Sequence, residues 1–163
     1  LEVDVPEHLL VERLELAHQS PVASARPVGG QIAVARSAHA PELLSDALVL
    51  AVQHYYRGEL QGVEGINLAV GNKERSLWRD RLGHLGPGFD RLEGYVFHAT
   101  IYARSPELIV GDIPFGGSSD FPSRELDRLF RNIAWQAVVR NPLSGVTDKD
   151  RNGIGDARER SSN

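Results

Sequence analysis

The chain contains no cysteine and no methionine in 163 residues. Without cysteine there are no disulfides, no thiolate metal ligands and no cysteine nucleophile. Lysine is nearly absent too: only Lys73 and Lys149 occur, so sixteen of the 18 basic side chains are arginine. No run of 18 apolar residues exists, which excludes a membrane-spanning helix by length. Basic excess is also lacking. The net charge of −4 gives no electrostatic pull toward nucleic acid or an anionic membrane, and neither is expected as a partner. The sequence has no G-x-S-x-G elbow, no Walker A loop and no H-E-x-x-H pair. A chain that opens on Leu1 rather than methionine suggests a removed start. The expectation is an exported protein, extracellular or periplasmic, with its signal peptide cleaved. A fragment of a longer chain is the alternative.

What is present describes a globular domain. Apolar residues make up 41% and charged residues 25%, and the length suffices for one domain with a sizeable core. Pro6 followed by Leu9, Leu10, Leu14 and Ala17 predicts a helix over 6–19. Residues 20–40 read as an irregular connection with room for a short strand at 31–35. Pro41 opens a helix over 41–57 built on Leu44, Leu48, Ala51, Val52, Tyr55 and Tyr56. Gly58, Gly62 and Gly65 allow it to continue toward residue 70 only with tertiary support. A short helix is expected over 73–83 around Leu77, Trp78 and Leu82.

Residues 89–104 fit two periods. Tyr95, Phe97, Ala99, Ile101 and Ala103 alternate as in a strand, whereas Leu92, Tyr95, Val96, Ala99 and Tyr102 align on a helix. Length and the preceding Gly-Pro-Gly turn favour the helix. Residues 106–121 form an irregular loop. The last helix is the clearest: Ser123 caps it, and Leu126, Leu129, Phe130, Ile133, Ala137 and Val138 make one apolar stripe. It stops before Asn141-Pro142, because the residue before proline is pushed out of the helical region. The fold class is therefore mainly α, one domain of four to five helices with long loops, with α+β as the alternative. The helical domain is expected over 1–141, and a calcium-binding loop and tail over 142–163.

That tail carries the strongest chemical signal. Residues 147–159 read TDKDRNGIGDARE. Like charges this dense repel unless a cation lies among them. With Asp148 as position 1, Asp150 is 3, Asn152 is 5, Gly153 is 6, Ile154 is 7, Asp156 is 9 and Glu159 is 12. That is the D-x-[DN]-x-[DN]-G-x5-E spacing of a calcium loop. Calcium takes about six to eight hard oxygen ligands at flexible geometry. Alternate residues of a curled loop supply carboxylates, Gly153 permits the turn, the Ile154 carbonyl adds an oxygen, and Glu159 can give two. Magnesium fits less well because it prefers fewer protein ligands and rigid octahedra. Transition metals are disfavoured because the loop holds no histidine.

The stretch resembles EF-hand loops and, more closely, the DxDxNGxGD loops of secreted bacterial proteins such as dockerins, thrombospondin type 3-like repeats and some α-amylase-family enzymes. The resemblance covers these twelve residues and names no family for the whole chain. It departs from paired EF-hands at position 8, where Gly155 replaces the usual apolar residue, and in having no second loop. The implied site is a single structural Ca2+ site rather than a switching sensor.

Two weaker constellations stand beside it. Glu15 and His18 form one E-x-x-H pair, where di-iron bundles need two and further glutamates. His98, Asp112 and Ser118 or Ser119 could assemble a hydrolytic site, with Gly116-Gly117 offering amides to an oxyanion. Trp135, beside the apolar stripe of the last helix, could cover the core edge or meet a protein partner. The leading expectation is an exported calcium-binding surface or accessory protein that works in binding or assembly. An extracellular hydrolase with a structural calcium is the alternative.

Overall fold

A computed structural model describes residues 36, 38–66, 75–80, 82–86, 88–111 and 121–160. The helix expected over 6–19, the Glu15/His18 pair and the possible strand at 31–35 lie outside the described residues. So do Asp112, Ser118 and Ser119.

Helix α1 spans Ala40–Tyr56, helix α2 Phe89–Tyr102, helix α3 Arg124–Arg140 and the single turn α4 Asp156–Glu159. Short 3-10 turns lie at Pro106–Leu108 and Pro142–Ser144. Among the described residues there is no strand. Two isolated antiparallel bridges pair Trp78 with Leu85 and Arg104 with Ile154. The domain is mainly helical, as its periodicity predicts.

Each long helix forms where apolar residues recur at helical spacing. Pro41 starts α1, and Ala40, Leu43, Ala47, Leu48, Ala51 and Val52 are its buried stripe. The buried face lies one position N-terminal of the expected one in places: Leu43 is sealed, and Tyr56 is half exposed. The helix ends at Tyr56 and does not run on toward residue 70, because Gly58 adopts φ 76 in the turn that follows.

The ambiguous segment is helical. In α2 Phe89, Leu92, Tyr95, Val96, Ala99 and Thr100 face inward, and Phe97, which a strand would have buried with Tyr95, is partly exposed. Thr100 is sealed because its hydroxyl donates to the Val96 carbonyl at 2.7 Å. Helix α3 starts as expected, with Ser123 Oγ accepting the Leu126 amide at 3.2 Å.

The three long helices pack pairwise around one core, with α3 against both others. Phe89 and Phe130 meet at its centre, their rings 5.1 Å apart and tilted by 51°. Leu60, Val63, Ile66 and Leu77 from the α1–α2 connection close one side, and Val146 from the tail enters the same core.

The short helix expected over 73–83 does not form. Residues 75–80 and 82–86 are turns and bends around the Trp78–Leu85 bridge. The backbone pairs across a turn instead, Arg79 N to the His84 carbonyl and Gly86 N to the Leu77 carbonyl, and Asp80 holds that turn. Its Oδ1 accepts the amides of Leu82 (2.9 Å) and His84 (3.4 Å), and its Oδ2 bonds the His84 ring at 2.6 Å. An aspartate that takes nearby amides into its side chain competes with helical carbonyls for them.

One polar network ties α2 to α3. Asp127 Oδ1 accepts the Tyr95 hydroxyl at 2.7 Å and Arg91 Nη1 at 3.3 Å, while Oδ2 accepts Arg131 Nε at 2.9 Å. Arg131 also reaches the carbonyl oxygens of Ile109 (2.9 Å) and Gly111 (3.4 Å), pinning the segment after the 3-10 turn. Burial and the Asp127 carboxylate push the Tyr95 phenol up to about 12, so it stays a donor. Asp127→Ala leaves the Tyr95 hydroxyl and Nε of the buried Arg131 without their acceptor, and removes the countercharge of that guanidinium. The expected loss is about 3 kcal/mol, the order found when one member of a buried charged pair is removed, read by urea unfolding.

Candidate cation site in the C-terminal loop

The loop is reached through a fixed exit from α3. Asn141 caps the turn after the helix by accepting the Leu143 amide at 2.9 Å, and its Nδ2 donates to Asp46 of α1 at 2.6 Å. Val146, buried, then anchors the chain before the acidic run begins.

Inside the loop the acidic side chains are folded onto backbone amides. Asp148 Oδ1 accepts Asn152 N, and Asp148 Oδ2 accepts Gly153 N, both at 3.1 Å. The Trp135 indole is a third donor to this carboxylate, reaching Oδ2 at 3.1 Å. Asn152 Oδ1 accepts Ile154 N at 2.7 Å, which fixes the amide so that its nitrogen faces the acids. That nitrogen donates to Asp150 Oδ2 at 2.9 Å and to Glu159 Oε1 at 2.5 Å. Positions 3, 5 and 12 of the pattern thus meet at one point, with position 1 next to them through the Asn152 amide.

Asp156 departs from this group. Its Oδ2 accepts the Thr147 hydroxyl at 2.8 Å and its Oδ1 the Lys149 amide at 3.0 Å, so it closes the neck of the loop. The Lys149 amide, then the Thr147 hydroxyl, hold its carboxyl below the usual aspartate value.

The loop is docked on the end of α2. Ser105 N donates to the Gly153 carbonyl at 2.7 Å, and Gly155 N donates to the Ala103 carbonyl at 2.8 Å, on either side of the Arg104–Ile154 bridge. Because successive carbonyls in an extended segment alternate in direction, that of Ile154 turns away from residue 104. Arg158 Nη1 adds a bond to the Tyr102 carbonyl at 2.8 Å.

The two loop glycines are needed here. Gly153 adopts φ 82, and a Cβ on it would lie 3.1 Å from Ser105 Cβ. A Cβ on Gly155 would lie 3.1 Å from Ala103 Cβ and 3.2 Å from Val146 Cγ1. The departure at position 8 therefore has a packing reason: this loop pairs with residues 103–105 instead of a second loop.

The donor set fits a hard cation: four carboxylates, one amide and one carbonyl, all oxygen. Among the described residues, however, no three histidine or acidic side chains are gathered into a metal-holding cluster. The acids are turned to amide donors of the loop itself, and the Asn152 nitrogen stands between Asp150 and Glu159.

Trp135 and residues 103–105 are parts of the site that the sequence reading did not assign. The position of Trp135 beside the apolar stripe of α3 was a partial signal for the first. Nothing in the sequence announces the second.

Of the proposed hydrolytic group only His98 is described. It is half-buried on α2, its Nε2 has no hydrogen-bond partner, and its ring lies 5.0 Å from that of Tyr102. Burial, then the charges of Arg104 and Arg158, hold it below the usual imidazole value.

Comparisons of the chain with family models, with curated proteins and with solved structures find no match.

A depressed histidine gives a signed pH dependence. The unfolded chain takes up the proton first, near pH 6.5, so the contribution of His98 to stability is complete above that value. It is lost as pH falls through the lower folded-state value. Urea unfolding from pH 8 to 5 should show stability falling, with a shallower fall in His98→Gln. Equal slopes in the two proteins would remove His98 as a cause.

Proposed function

We propose that residues 148–159 hold a single structural calcium ion, and that the chain is an exported surface or accessory protein acting in binding or assembly. The observation that carries the calcium reading is the meeting of Asp150 and Glu159 on Asn152, beside an Asp148 already oriented by two backbone amides and Trp135. Rotation of the Asn152 amide, which breaks its bond from the Ile154 amide, would replace its nitrogen by oxygen between the two acids. Asp148, Asp150, Asn152, the Ile154 carbonyl and Glu159 would then hold the ion, with Asp156 within the same loop as the position 9 ligand. The bound ion would supply the countercharge that four acids in twelve residues call for.

Export agrees with this reading, since a lone structural site suits surroundings where calcium is abundant. No described helix is long and apolar enough to cross a membrane. A binding role is the reading we prefer, because the calcium loop is the chemical feature that the described residues carry in full.

Thermal unfolding in excess calcium and in chelator tests the calcium reading. Calcium at about 100 times its dissociation constant should add about 2.7 kcal/mol. For a domain of this size that raises the midpoint by roughly 5–10 °C. Asp150→Ala should abolish the rise. Coincident melting curves in calcium and chelator would refute a structural role for the ion.

A further inference from the structure

A second feature lies on another part of the molecule and does not depend on the calcium reading. A cavity of about 610 Å³ opens between α2, the segment 107–111 and the first two turns of α3. Arg124, Asp127, Arg128 and Arg131 line it from α3, at positions i, i+3, i+4 and i+7, so one helical stripe forms the wall. Arg91 of α2 and Glu107 complete the charged lining. Four guanidinium groups thus face two carboxylates.

Both carboxylates are already engaged by protein donors. Asp127 takes Tyr95, Arg91 and Arg131, and Glu107 takes Asn132 Nδ2 at 3.3 Å and Ser105 Oγ at 3.4 Å. Arg131 is buried and bonded to Asp127 and backbone carbonyls. Arg124 and Arg128 reach solvent at the cavity wall. Placing like charges four residues apart on a helix is unfavourable by itself. A planar guanidinium fork matches the oxygens of phosphate or sulfate, and several forks around one cavity suit a doubly charged oxyanion. The volume lies in the range of small-molecule sites, about 300–1,000 Å³, so it admits more than the bare ion.

We propose that this cavity binds a phosphate- or sulfate-type oxyanion, with Arg124 and Arg128 as its principal contacts and Arg91 on the facing wall.

Calorimetric titration with inorganic phosphate and with phenyl phosphate, at fixed ionic strength in calcium-free buffer, tests the proposal. Both probes should bind one per chain. The double variant Arg124→Gln/Arg128→Gln should weaken binding at least about tenfold, the scale of losing a charge-assisted hydrogen bond. Arg140→Gln, which removes a charge from the far end of α3, should leave it unchanged. Both substituted positions are solvent-exposed in the double variant, so it should fold and its circular dichroism should match wild type. Tighter binding of the ester than of the free ion identifies an organic phosphate as the better occupant, and the reverse identifies the free ion. The proposal is overturned if neither probe binds, if the double variant binds undiminished, or if Arg140→Gln weakens binding equally.

Discussion

Two backbone hydrogen bonds, from Ser105 to Gly153 and from Gly155 to Ala103, hold the C-terminal loop to the rest of the molecule. They also finish α2. Ala103 ends that helix in the left-handed region at φ 46, a conformation that costs an L-residue with a Cβ about 1 kcal/mol. Each of the two bonds contributes about the same amount in the other direction, and both are shielded by buried neighbours. The helix end and the loop thus stabilise each other. Removing either leaves the other with unpaired backbone groups, which is more costly than the bonds are worth.

The same junction joins the loop to the helical core. Residues 103–105 lead into the 3-10 turn and then into the carbonyls held by Arg131, while Asp148 reaches Trp135 of α3 directly. Trp135 is buried, with its indole nitrogen at the core edge. That arrangement suits an aromatic ring with one polar atom to satisfy. The acidic loop is therefore an extension of the α2–α3 packing rather than a loose tail, and Val146 in the core anchors it from the other side.

Much of this was legible in the sequence because the signals were local. Pro41, the Ser123 cap and the apolar stripe of α3 each act within one or two turns of chain, and these elements form as expected. The period of residues 89–104 was double, and burial decided it in favour of the helix. The expected helix over 73–83 failed because hydrophobic spacing around Trp78 is silent about the turn that pairs Arg79 with His84 and that Asp80 holds. Within the loop, the spacing of acids, Asn152 and Gly153 is local and was readable. The pairing with 103–105 joins residues about fifty positions apart and has no sequence signature. Gly155 looked like a departure from pattern until its contact with Ala103 gave it a reason.

We propose that calcium held in the loop is felt by the helical core through the bond between Asp148 and Trp135. The most direct measurement is a calcium titration followed by intrinsic fluorescence in a Trp78→Phe protein, where Trp135 is the only indole. The account predicts a saturable change in Trp135 emission at one calcium per chain, reversed by chelator and absent in Glu159→Gln. Emission that stays flat through several additions of calcium, in protein shown to be folded, would contradict it.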